Sequence, residues 1–345
     1  MGDMAKTNIK ISLCILNWNG LSFTRKCLKS LLKYPYPFSE IILIDNGSSG
    51  NEADIIAKEF GNRINFIRNT KNNGYAEGMN QAMRASHGKY IMLLNNDMEF
   101  PKGWLNPLAE VLDKHPEISA VSPKVRDMKD PTKFEYASAA GSFIDAIGFP
   151  FSRGRLFTTV ETDKGQYDTS VPICWAGIFL VRKAVLEKIG LFNPIFFHNM
   201  EDIDLSLRIW GTGGSMVYEP KSTVYHFGGA IIARNPAYKF YYLHRNNLIL
   251  ILINWPRSIV IPMVLLRIML DVVAIFFYIA TKGYGQAWSV VRSFRSLVIM
   301  FPAIIRARRK TQSIIDPKLL KRMPMYYGSI VWDYFIRGRK TYGDL

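Results

Sequence analysis

The sequence has few cysteines, and they are not arranged as a disulfide framework or a cysteine-held metal site requires. Of 345 residues only three are cysteine, namely Cys14, Cys27 and Cys174, and they are far apart with no C-x-x-C pair. This pattern excludes a disulfide-stapled extracellular module and a zinc ribbon. We therefore expect the protein to work in a reducing compartment.

Two further features are missing. The first ten residues, MGDMAKTNIK, lack the apolar core of a signal peptide, which favours a cytoplasmic location. The apolar stretch 258–281 carries Arg267 and Asp271 near its middle, whereas a simple spanning helix has no central charge. The composition is otherwise that of a globular protein, with 48% hydrophobic and 21% charged residues.

Basic charge is concentrated at one end of the chain. Residues 231–345 contain 18 basic and 4 acidic side chains, a net charge of +14, whereas the preceding 230 residues have a net charge of only +2. Basic side chains interleaved with apolar runs favour an anionic lipid surface over nucleic acid, which would not cover the apolar area. We predict a domain at 1–235 and a basic, apolar, membrane-associated helical region at 236–345, with no nucleic-acid partner.

Strand and helix patterns alternate through the first part of the chain. Strands are predicted at 11–16, 40–45, 64–68 and 89–94, and helices at 21–33, 51–60 and 76–86. Further on, the pattern predicts a strand at 175–181, a helix at 182–189 and a helix opened by Glu201, while 126–171 has weak periodicity. Short connections between alternating elements predict an α/β fold with a mostly parallel sheet flanked by helices.

Small polar or acidic residues follow three of these strands. They are Asn17-Trp18-Asn19-Gly20, Asp45-Asn46-Gly47-Ser48-Ser49 and Asn95-Asn96-Asp97, and a fourth group, Asn72-Asn73-Gly74-Tyr75-Ala76, enters a helix. Each group alone is also compatible with an ordinary turn. Because ligands bind at the carboxyl ends of parallel strands, the recurrence predicts a binding site at this edge.

The C-terminal region contains several apolar runs broken by single charges or prolines. Arg267 and Asp271 are spaced i,i+4 and are expected to pair on one helix face, and Arg306, Arg308, Arg309 and Lys310 form a basic cluster after the amphipathic stretch 286–305. We favour helices that lie in the membrane interface. A spanning segment within 246–281 and a plain soluble helical domain are the alternatives.

The ordered motifs resemble those of the family-2 inverting glycosyltransferases with a GT-A fold. The resemblance is closest to the rhamnosyltransferase-like members that build surface polysaccharides of the cell envelope, and it runs from about Ile11 to Ala230. It rests on ILNWNG, IDNGSSG, NNGYAEGMN, LLNNDM, WAGIFLVRK, EDIDLSLR and HFGGA, in that order. No single motif is specific, but the ordered set is strong evidence.

The resemblance implies transfer of a sugar from a UDP- or dTDP-linked donor with the help of Mg²⁺ or Mn²⁺. It places the metal on Asp97 and His226, and the general base on Asp202, whose neighbours Glu201 and Asp204 are expected to raise its pKa. The remaining donor-binding residues that it implies are Asn17, Asn19, Asp45, Asn73, Gly74, Asn95, Asn96, Trp175, Gly177 and Glu201.

Some positions depart from the family pattern. Asn95 stands at the first acidic position of the D-x-D-like motif, so the metal is expected to depend on the donor diphosphate. Gly50 replaces a second aspartate, and Glu77 brings an anion towards the diphosphate. Core packing is as good an explanation of Trp175 as contact with a sugar. The Q-x-x-R-W motif of processive synthases is absent from the sequence, which favours limited addition to a polyprenyl-linked or oligosaccharide acceptor.

Three other functions are open at this point. Direct transfer onto a polyprenyl phosphate would need little general base. A non-catalytic membrane-bound partner of an assembly complex would explain the loss of an acid at Asn95. A nucleotidyltransferase would need basic residues around the phosphates near the first strand, where only Arg25 and Lys26 are candidates.

Overall fold

The structure, a computed structural model, describes residues 10–135, 138–228 and 236–345. The N-terminal residues 1–9, the end of the family resemblance at Ala230 and the predicted domain boundary at 235 lie outside the described residues.

The strands share a nine-stranded sheet and a smaller four-stranded sheet within the described ranges. They are β1 (Ile11–Asn17), β2 (Ser39–Asn46), β3 (Asn65–Asn69), β4 (Tyr90–Asn95), β5 (Met98–Glu99), β6 (Ala120–Asp127), β7 (Ser142–Ile144), β8 (Pro150–Ser152), β9 (Arg155–Leu156), β10 (Thr159–Val160), β11 (Val171–Pro172), β12 (Phe179–Arg182) and β13 (Met216–His226).

Helices cover both faces of the large sheet and form the C-terminal region. They are α1 (Leu21–Lys33), α2 (Glu52–Phe60), α3 (Tyr75–Ala85), α4 (Leu105–Lys114), α5 (Lys183–Ile189), α6 (Glu201–Gly211), α7 (Pro236–Asn254), α8 (Arg257–Ala280), α9 (Tyr284–Gln312), α10 (Pro317–Leu320) and α11 (Ile330–Phe335). Two short 3₁₀ turns, Pro194–Phe196 and Tyr342–Asp344, complete the described elements.

The first half of the large sheet is parallel, as the alternating pattern predicts. β1 pairs in parallel with β2 and with β4, and β2 pairs in parallel with β3. The strands are apolar on both faces: Ile11, Leu13 and Ile15 of β1 pack with α1, α2 and α4, whereas Cys14 belongs to the cluster on the opposite face. The predicted α/β fold of the GT-A type is confirmed.

The second half makes the sheet mixed, in contrast to the mostly parallel sheet expected from the sequence. β12 is antiparallel to both β4 and β6, and β5 and β11 are antiparallel to β13. The weakly periodic stretch 126–171 contains the small sheet, in the order β10-β9-β8-β7. In the sequence this stretch connects β6 to the region of β12, and these two strands pair antiparallel in the large sheet.

One predicted strand length was wrong. The strand predicted at 175–181 is only β12, because the chain at Trp175 forms a bridge with Ser142 before it enters the large sheet. The strand before His226 is long, because β13 continues through an irregularity between Glu219 and Thr223 and remains paired with β6.

The C-terminal region packs on the α/β core through α7. Five consecutive or nearly consecutive aliphatic residues of α7 are fully buried, namely Leu248, Ile249, Leu250, Ile251 and Ile253. Burial of such a side chain stabilises a fold by about 1.5–3 kcal/mol relative to its exposure. The helical region is therefore anchored to the core by its first helix.

The two central charges of α8 point inward. Arg267 Nε lies 3.0 Å from Asp271 Oδ1, His244 Nδ1 lies 2.8 Å from the same oxygen, and Arg267 donates to Asn247 Oδ1 at 2.9 Å. The predicted Arg267–Asp271 pair is thus formed, and it is buried against α7.

The opposite face of α8 and much of α9 are apolar and exposed. Leu265 is 63% exposed, Phe276 67% and Val298 76%. By length and composition alone, α8 and α9 are each long and apolar enough to cross a membrane. We call this surface the apolar face; it consists of the exposed side chains Ile261, Leu265, Met269, Val273, Phe276, Phe277, Trp288, Val298, Ile299 and Phe301.

Candidate active site

The parallel strands end in a network of side-chain hydrogen bonds. Asp45, at the end of β2, accepts from Asn17 Nδ2 at 2.8 Å and from Ser48 Oγ at 2.7 Å. Asn19 Oδ1 accepts from the backbone N–H and the hydroxyl of Ser49 at 2.8 and 2.9 Å. The loops after β1 and β2 are therefore fixed to each other, with the Asp45 carboxylate buried at their junction.

Asn96 lies below this network. It is buried, donates to Thr24 Oγ1 at 2.8 Å, and Thr24 donates in turn to Asn17 Oδ1 at 2.7 Å. Its side chain supports the loop after β1, so the structure places this predicted donor-binding residue behind Asn17.

The loop before α3 is organised around Asn46. Asn46 donates to Asn72 Oδ1 at 3.0 Å and to the Gly74 carbonyl at 3.1 Å, and accepts from Asn73 N at 3.2 Å. Gly74 has φ +85°, and a Cβ there would lie 2.6–2.8 Å from Phe197. Only glycine fits this backbone conformation and this close approach. Asn73 and Gly74 are thus held rigidly beside the sheet edge.

The anion expected to disturb this loop is already paired. Glu77 accepts from Arg84 Nη2 at 2.5 Å and from Asn80 Nδ2 at 3.3 Å, both along α3. The Glu77 carboxylate is therefore paired with side chains of its own helix and does not face the loop as an unpaired charge.

Asp97 and His226 meet at the same edge. His226 Nε2 lies 2.9 Å from Asp97 Oδ1, and its Nδ1 lies 2.6 Å from Glu135 Oε2. Burial lowers the pKa of His226, but the two carboxylates outweigh that effect and raise it to about 10. Asn95 Nδ2 lies 3.3 Å from His226 Nε2.

These residues suit a metal held jointly with a substrate. Glu135 takes the Nδ1 side of the His226 ring, so Nε2, directed at Asp97, is the nitrogen that would bind a metal in place of its proton. Within the described ranges no group of three or more His, Cys, Asp or Glu side chains is placed to hold a metal by itself. Mg²⁺ often takes one or two protein ligands and completes its shell with phosphates and water.

Glu201 and Asp202 form a second acidic group at the first turn of α6. Burial raises the pKa of Asp202 to about 6. Burial, followed by the negative charge of Asp202, raises the pKa of Glu201 well above its usual range. Glu201 Oε2 is buried without a hydrogen-bond partner, and Asp202 is partly exposed. Burial thus raises the pKa of both carboxyl groups, and the shift of Glu201 is further increased by the neighbouring Asp202.

Gly177 leaves room for Asp202. A Cβ at Gly177 would lie 3.3 Å from Asp202 Oδ2, and the Gly177 N–H donates to Ser138 Oγ at 3.0 Å. Asp204 has a different role from the one expected. It pairs with Arg208 at 2.9 Å and accepts from Asn254 Nδ2 at 2.9 Å, so it joins α6 to α7. Burial rather than Asp204 is the main cause of the raised pKa of Asp202.

Tyr75 connects the two acidic groups. Its hydroxyl donates to Asn95 Oδ1 at 3.2 Å. Burial, followed by the charges of Glu201, Asp202 and Asp97, raises its pKa. Contacts of 2.9–3.3 Å therefore join Tyr75, Asn95, His226 and Asp97, and Asp202 is near enough to raise the pKa of the Tyr75 hydroxyl.

Trp175 is not available as a ring platform. It is 3% exposed and its indole N–H donates to the Phe143 carbonyl at 2.8 Å. Of the two explanations open for this residue, the structure favours packing in the core, where Trp175 joins the chain at the small sheet to the large sheet.

The comparison with protein families now gives the decisive observation. The model of the family described as glycosyl transferase family 2 matches residues 12–190, more than half of the chain. The chain belongs to glycosyl transferase family 2. The matched residues contain β1 to α5 and end before Asp202 and His226, so the roles of those two residues depend on the geometry described above.

Individual relatives of this family-2 chain are distant. It is 26% identical over 251 residues to a putative polypeptide N-acetylgalactosaminyltransferase 13 of Drosophila melanogaster. The matched region covers 68% of this chain and 43% of that protein. It is 24% identical over 213 residues to an N-acetylglucosaminyl-diphospho-decaprenol L-rhamnosyltransferase of Mycobacterium tuberculosis, covering 57% and 69%. The chain thus spans less than half the length of the fly relative.

One solved structure similar to this family-2 chain is residues 1–349 of S. aureus TarS. The sequences are 15% identical, the likeness covers 90% of this chain and 82% of that one, and the TM-score is 0.49.

Three residues of the candidate site in this family-2 protein were not predicted from the sequence. Glu135 lies in the weakly periodic stretch, and no local pattern linked it to His226. Tyr75 stood within a noted motif but had no assigned role. Asn246, on α7, donates to the carbonyls of Phe196, His198 and Asn199 at 2.8, 2.7 and 2.8 Å.

The loop that Asn246 holds is strained. Phe197, Asn199 and Met200 have φ of 60°, 67° and 72°, a region that non-glycine residues seldom adopt. Such strain persists only where surrounding contacts impose it, at a cost of about 1–3 kcal/mol per residue. Because this loop leads directly into Glu201 and Asp202, Asn246 fixes the start of α6.

Proposed function

We propose that this protein is an inverting glycosyltransferase that moves a sugar from a UDP- or dTDP-linked donor to a hydroxyl of a polyprenyl-linked glycan. The observation that carries this proposal is the chain of contacts from Tyr75 through Asn95 to His226 and Asp97, beside the buried Glu201–Asp202 pair in which burial raises the pKa of Asp202 to about 6. Membership of glycosyl transferase family 2 supports the transferase reaction.

The loops after β1 and β2 and the loop before α3 are suited to the nucleotide. The buried Asp45 carboxylate is a strong acceptor for an N–H of a pyrimidine base, and Asn17 and Asn19 hold its surroundings. Asn73 and Gly74 present backbone groups beside the site of the ribose and diphosphate, with no Cβ at Gly74 to obstruct their approach.

Asp97 and His226 would hold Mg²⁺ or Mn²⁺ together with the donor diphosphate. When bound, the cation neutralises negative charge on the departing phosphate. Glu135 fixes the ring of His226 and Tyr75 fixes the amide of Asn95, so the protein groups are oriented before the donor arrives.

Asp202 is the proposed general base. A carboxylate with a pKa of about 6 is ionised at neutral pH yet basic enough to take a proton from the attacking hydroxyl. The acceptor oxygen forms a bond to the anomeric carbon as the bond to the diphosphate breaks. One displacement inverts the anomeric configuration, and the hydroxyl proton passes to Asp202.

The basic apolar tail supports a position at the cytoplasmic face of a membrane. The apolar face of α8 and α9 is exposed, while Arg267 and Asp271 are paired inside. Arg292 and Arg295, in the middle of α9, are also exposed, which favours helices lying in the interface over helices crossing the bilayer. The mycobacterial relative is named for a decaprenol-linked substrate, which supports a lipid-linked acceptor.

The alternative of a nucleotidyltransferase has little support in the structure. Arg25 pairs with Glu59 at 2.5 Å on the exposed side of α1, and Lys26 is also exposed on that helix. Neither position corresponds to a phosphate-binding group at the carboxyl edge of the sheet.

A screen of nucleotide sugars tests the proposal. Purified protein is incubated with UDP- and dTDP-sugars, with and without Mn²⁺, and released UDP or dTDP is measured. We expect metal-dependent release from a small subset of donors. An absence of both nucleotide binding and metal dependence would instead support a non-catalytic partner in an assembly complex.

A further inference from the structure

A groove outside the site described above lies between α7, α9 and the turn Pro194–Phe196. It has a volume of about 640 Å³. We call it the basic groove, and define it by six of its lining residues: Phe197, Tyr242, Arg245, Met300, Arg306 and Lys310.

The groove has an excess of positive charge. Arg306 and Lys310 are one helical turn apart on α9 and exposed, and Arg245 lies opposite on α7. None of these three takes part in a salt bridge within the described ranges. Three cations in one groove without a carboxylate partner favour a ligand with two or more negative charges.

Apolar groups occupy the rest of the groove. Pro194, Ile195, Met300 and Ala303 line it beside the three cations. Ile299, one helical turn before Ala303 on the same side of α9, is 67% exposed and belongs to the apolar face. The groove is therefore continuous with the surface proposed to contact lipid, so a ligand with an anionic head and a long apolar chain fits both.

The groove also adjoins the site. Phe197 lines it, stacks on Tyr242 with ring centroids 5.7 Å apart, and accepts from Ala76 N at 3.2 Å through its carbonyl. Gly74, in the donor loop, also approaches Phe197 closely. A head group in the groove is thus separated from the donor loop by one side chain.

We propose that the basic groove binds the diphosphate of a polyprenyl diphosphate, the lipid part of the acceptor. This rests on the proposed function for the identity of the ligand as an acceptor. Arg306 and Lys310 contact the phosphates, Arg245 contributes a third charge from α7, and the prenyl chain leaves along α9 to the apolar face.

The test measures binding to phosphatidylcholine vesicles that contain a small fraction of polyprenyl diphosphate, by flotation. A dilute anionic lipid in a neutral vesicle keeps the general surface potential low. The variant R306Q/K310Q removes two charges from the groove, and R295Q/R309Q removes two exposed charges of the same helix outside it. We expect about a 30-fold loss of binding for R306Q/K310Q and at most about a threefold loss for R295Q/R309Q.

Equal losses in the two variants would overturn the proposal, because they would show attraction by surface charge alone. Vesicles with phosphatidylglycerol at the same charge should bind R306Q/K310Q and R295Q/R309Q alike. Inorganic pyrophosphate distinguishes the source of the diphosphate: failure to displace the protein supports a lipid ligand, and displacement at equal diphosphate concentration overturns it.

A separate measurement keeps the two proposals apart. Titration of the wild-type protein with UDP in the absence of lipid tests the proposed function and does not involve the groove. Nucleotide binding without selective vesicle binding would reject the groove alone, and selective vesicle binding without nucleotide binding would reject the proposed function alone.

Discussion

The two sides of the candidate active site differ in how fully their buried polar groups are hydrogen-bonded. Around Asp45 and Asn46, buried side chains satisfy one another through short hydrogen bonds between the loops. Around Glu201 and Asp202, carboxylates are crowded, one buried oxygen has no partner, and the preceding backbone is strained.

This difference suits the two sides to different tasks, nucleotide binding on the first side and proton transfer on the second. A satisfied network is rigid and costs little, which suits recognition of a nucleotide. Crowded carboxylates destabilise the folded protein, and the raised pKa of Asp202 suits its proposed role as general base. The comparison predicts that variants on the acidic side change turnover, whereas variants on the satisfied side change donor affinity.

The largest effect is expected for Asp202→Asn. Loss of the base should lower kcat by about 10³-fold while nucleotide affinity stays largely intact. Glu201→Gln is the matched control, because it removes the neighbouring carboxylate but leaves Asp202, and it should retain most of the turnover. Steady-state kinetics and UDP titration measure both. Wild-type turnover in Asp202→Asn would reject the base assignment, and activity with a polyprenyl phosphate acceptor alone would favour direct transfer to phosphate.

The same carboxyl group predicts a pH dependence. Only ionised Asp202 accepts a proton, so kcat/KM should fall about tenfold per pH unit below about 6 and level off above it. The raised pKa also means that the folded protein binds the proton more tightly than the unfolded chain. Stability therefore decreases as the pH rises from about 4 to about 6.

The substitution Asp202→Asn removes the loss of stability that ionisation of the buried carboxyl group causes. Above pH 6 the variant should be more stable than the wild type by about 2 kcal/mol, measured by chemical denaturation. Equal stability of the two proteins at pH 7.5 would contradict the strained acidic site.

The next effect is expected for Glu135→Gln. Without the carboxylate at Nδ1, His226 loses its fixed orientation, and the Mn²⁺ concentration needed for half-maximal activity should rise about 10- to 100-fold. High Mn²⁺ should restore much of the activity. Glu161→Gln provides a control acid in the same part of the chain. An unchanged metal requirement in Glu135→Gln would remove His226 from the metal site.

Asn246→Ala should have a smaller effect. It removes three hydrogen bonds to the strained loop, so kcat should fall about tenfold with little change in donor KM. Asn246→Asp lacks the donors and should not restore activity. A change confined to thermal stability, with kcat unaltered, would show that Asn246 supports the fold and does not position α6.

Asp45→Asn is expected to have the smallest effect, and on a different parameter. The amide replaces an acceptor by a donor, so donor KM should rise severalfold with kcat nearly unchanged. The control is Asp54→Asn, because Asp54 is an exposed acid of α2 that pairs with Arg68 of β3. A fall in kcat at unchanged KM would break the division between the two sides.

The parallel half of the sheet could be predicted because its strands are buried on both faces and its helices are amphipathic. Continuous apolar runs for the strands and a period of 3.6 for the helices are sufficient there, and the polar residues at strand ends follow from the connectivity. The mixed half could not be predicted, since β12 reverses direction only through pairing with β4 and β6, which are distant in sequence.

The sequence by itself determined the family motifs, the alternation of strands and helices in residues 11–95, and the concentration of basic and apolar residues at the C-terminal end. Tertiary structure alone decided that Glu135 orients His226, that burial rather than Asp204 raises the pKa of Asp202, that Trp175 is core, and that Arg267 and Asp271 face inward. The reason is that local patterns reflect the neighbours of a residue along the chain, whereas burial and pairing depend on segments brought together by folding.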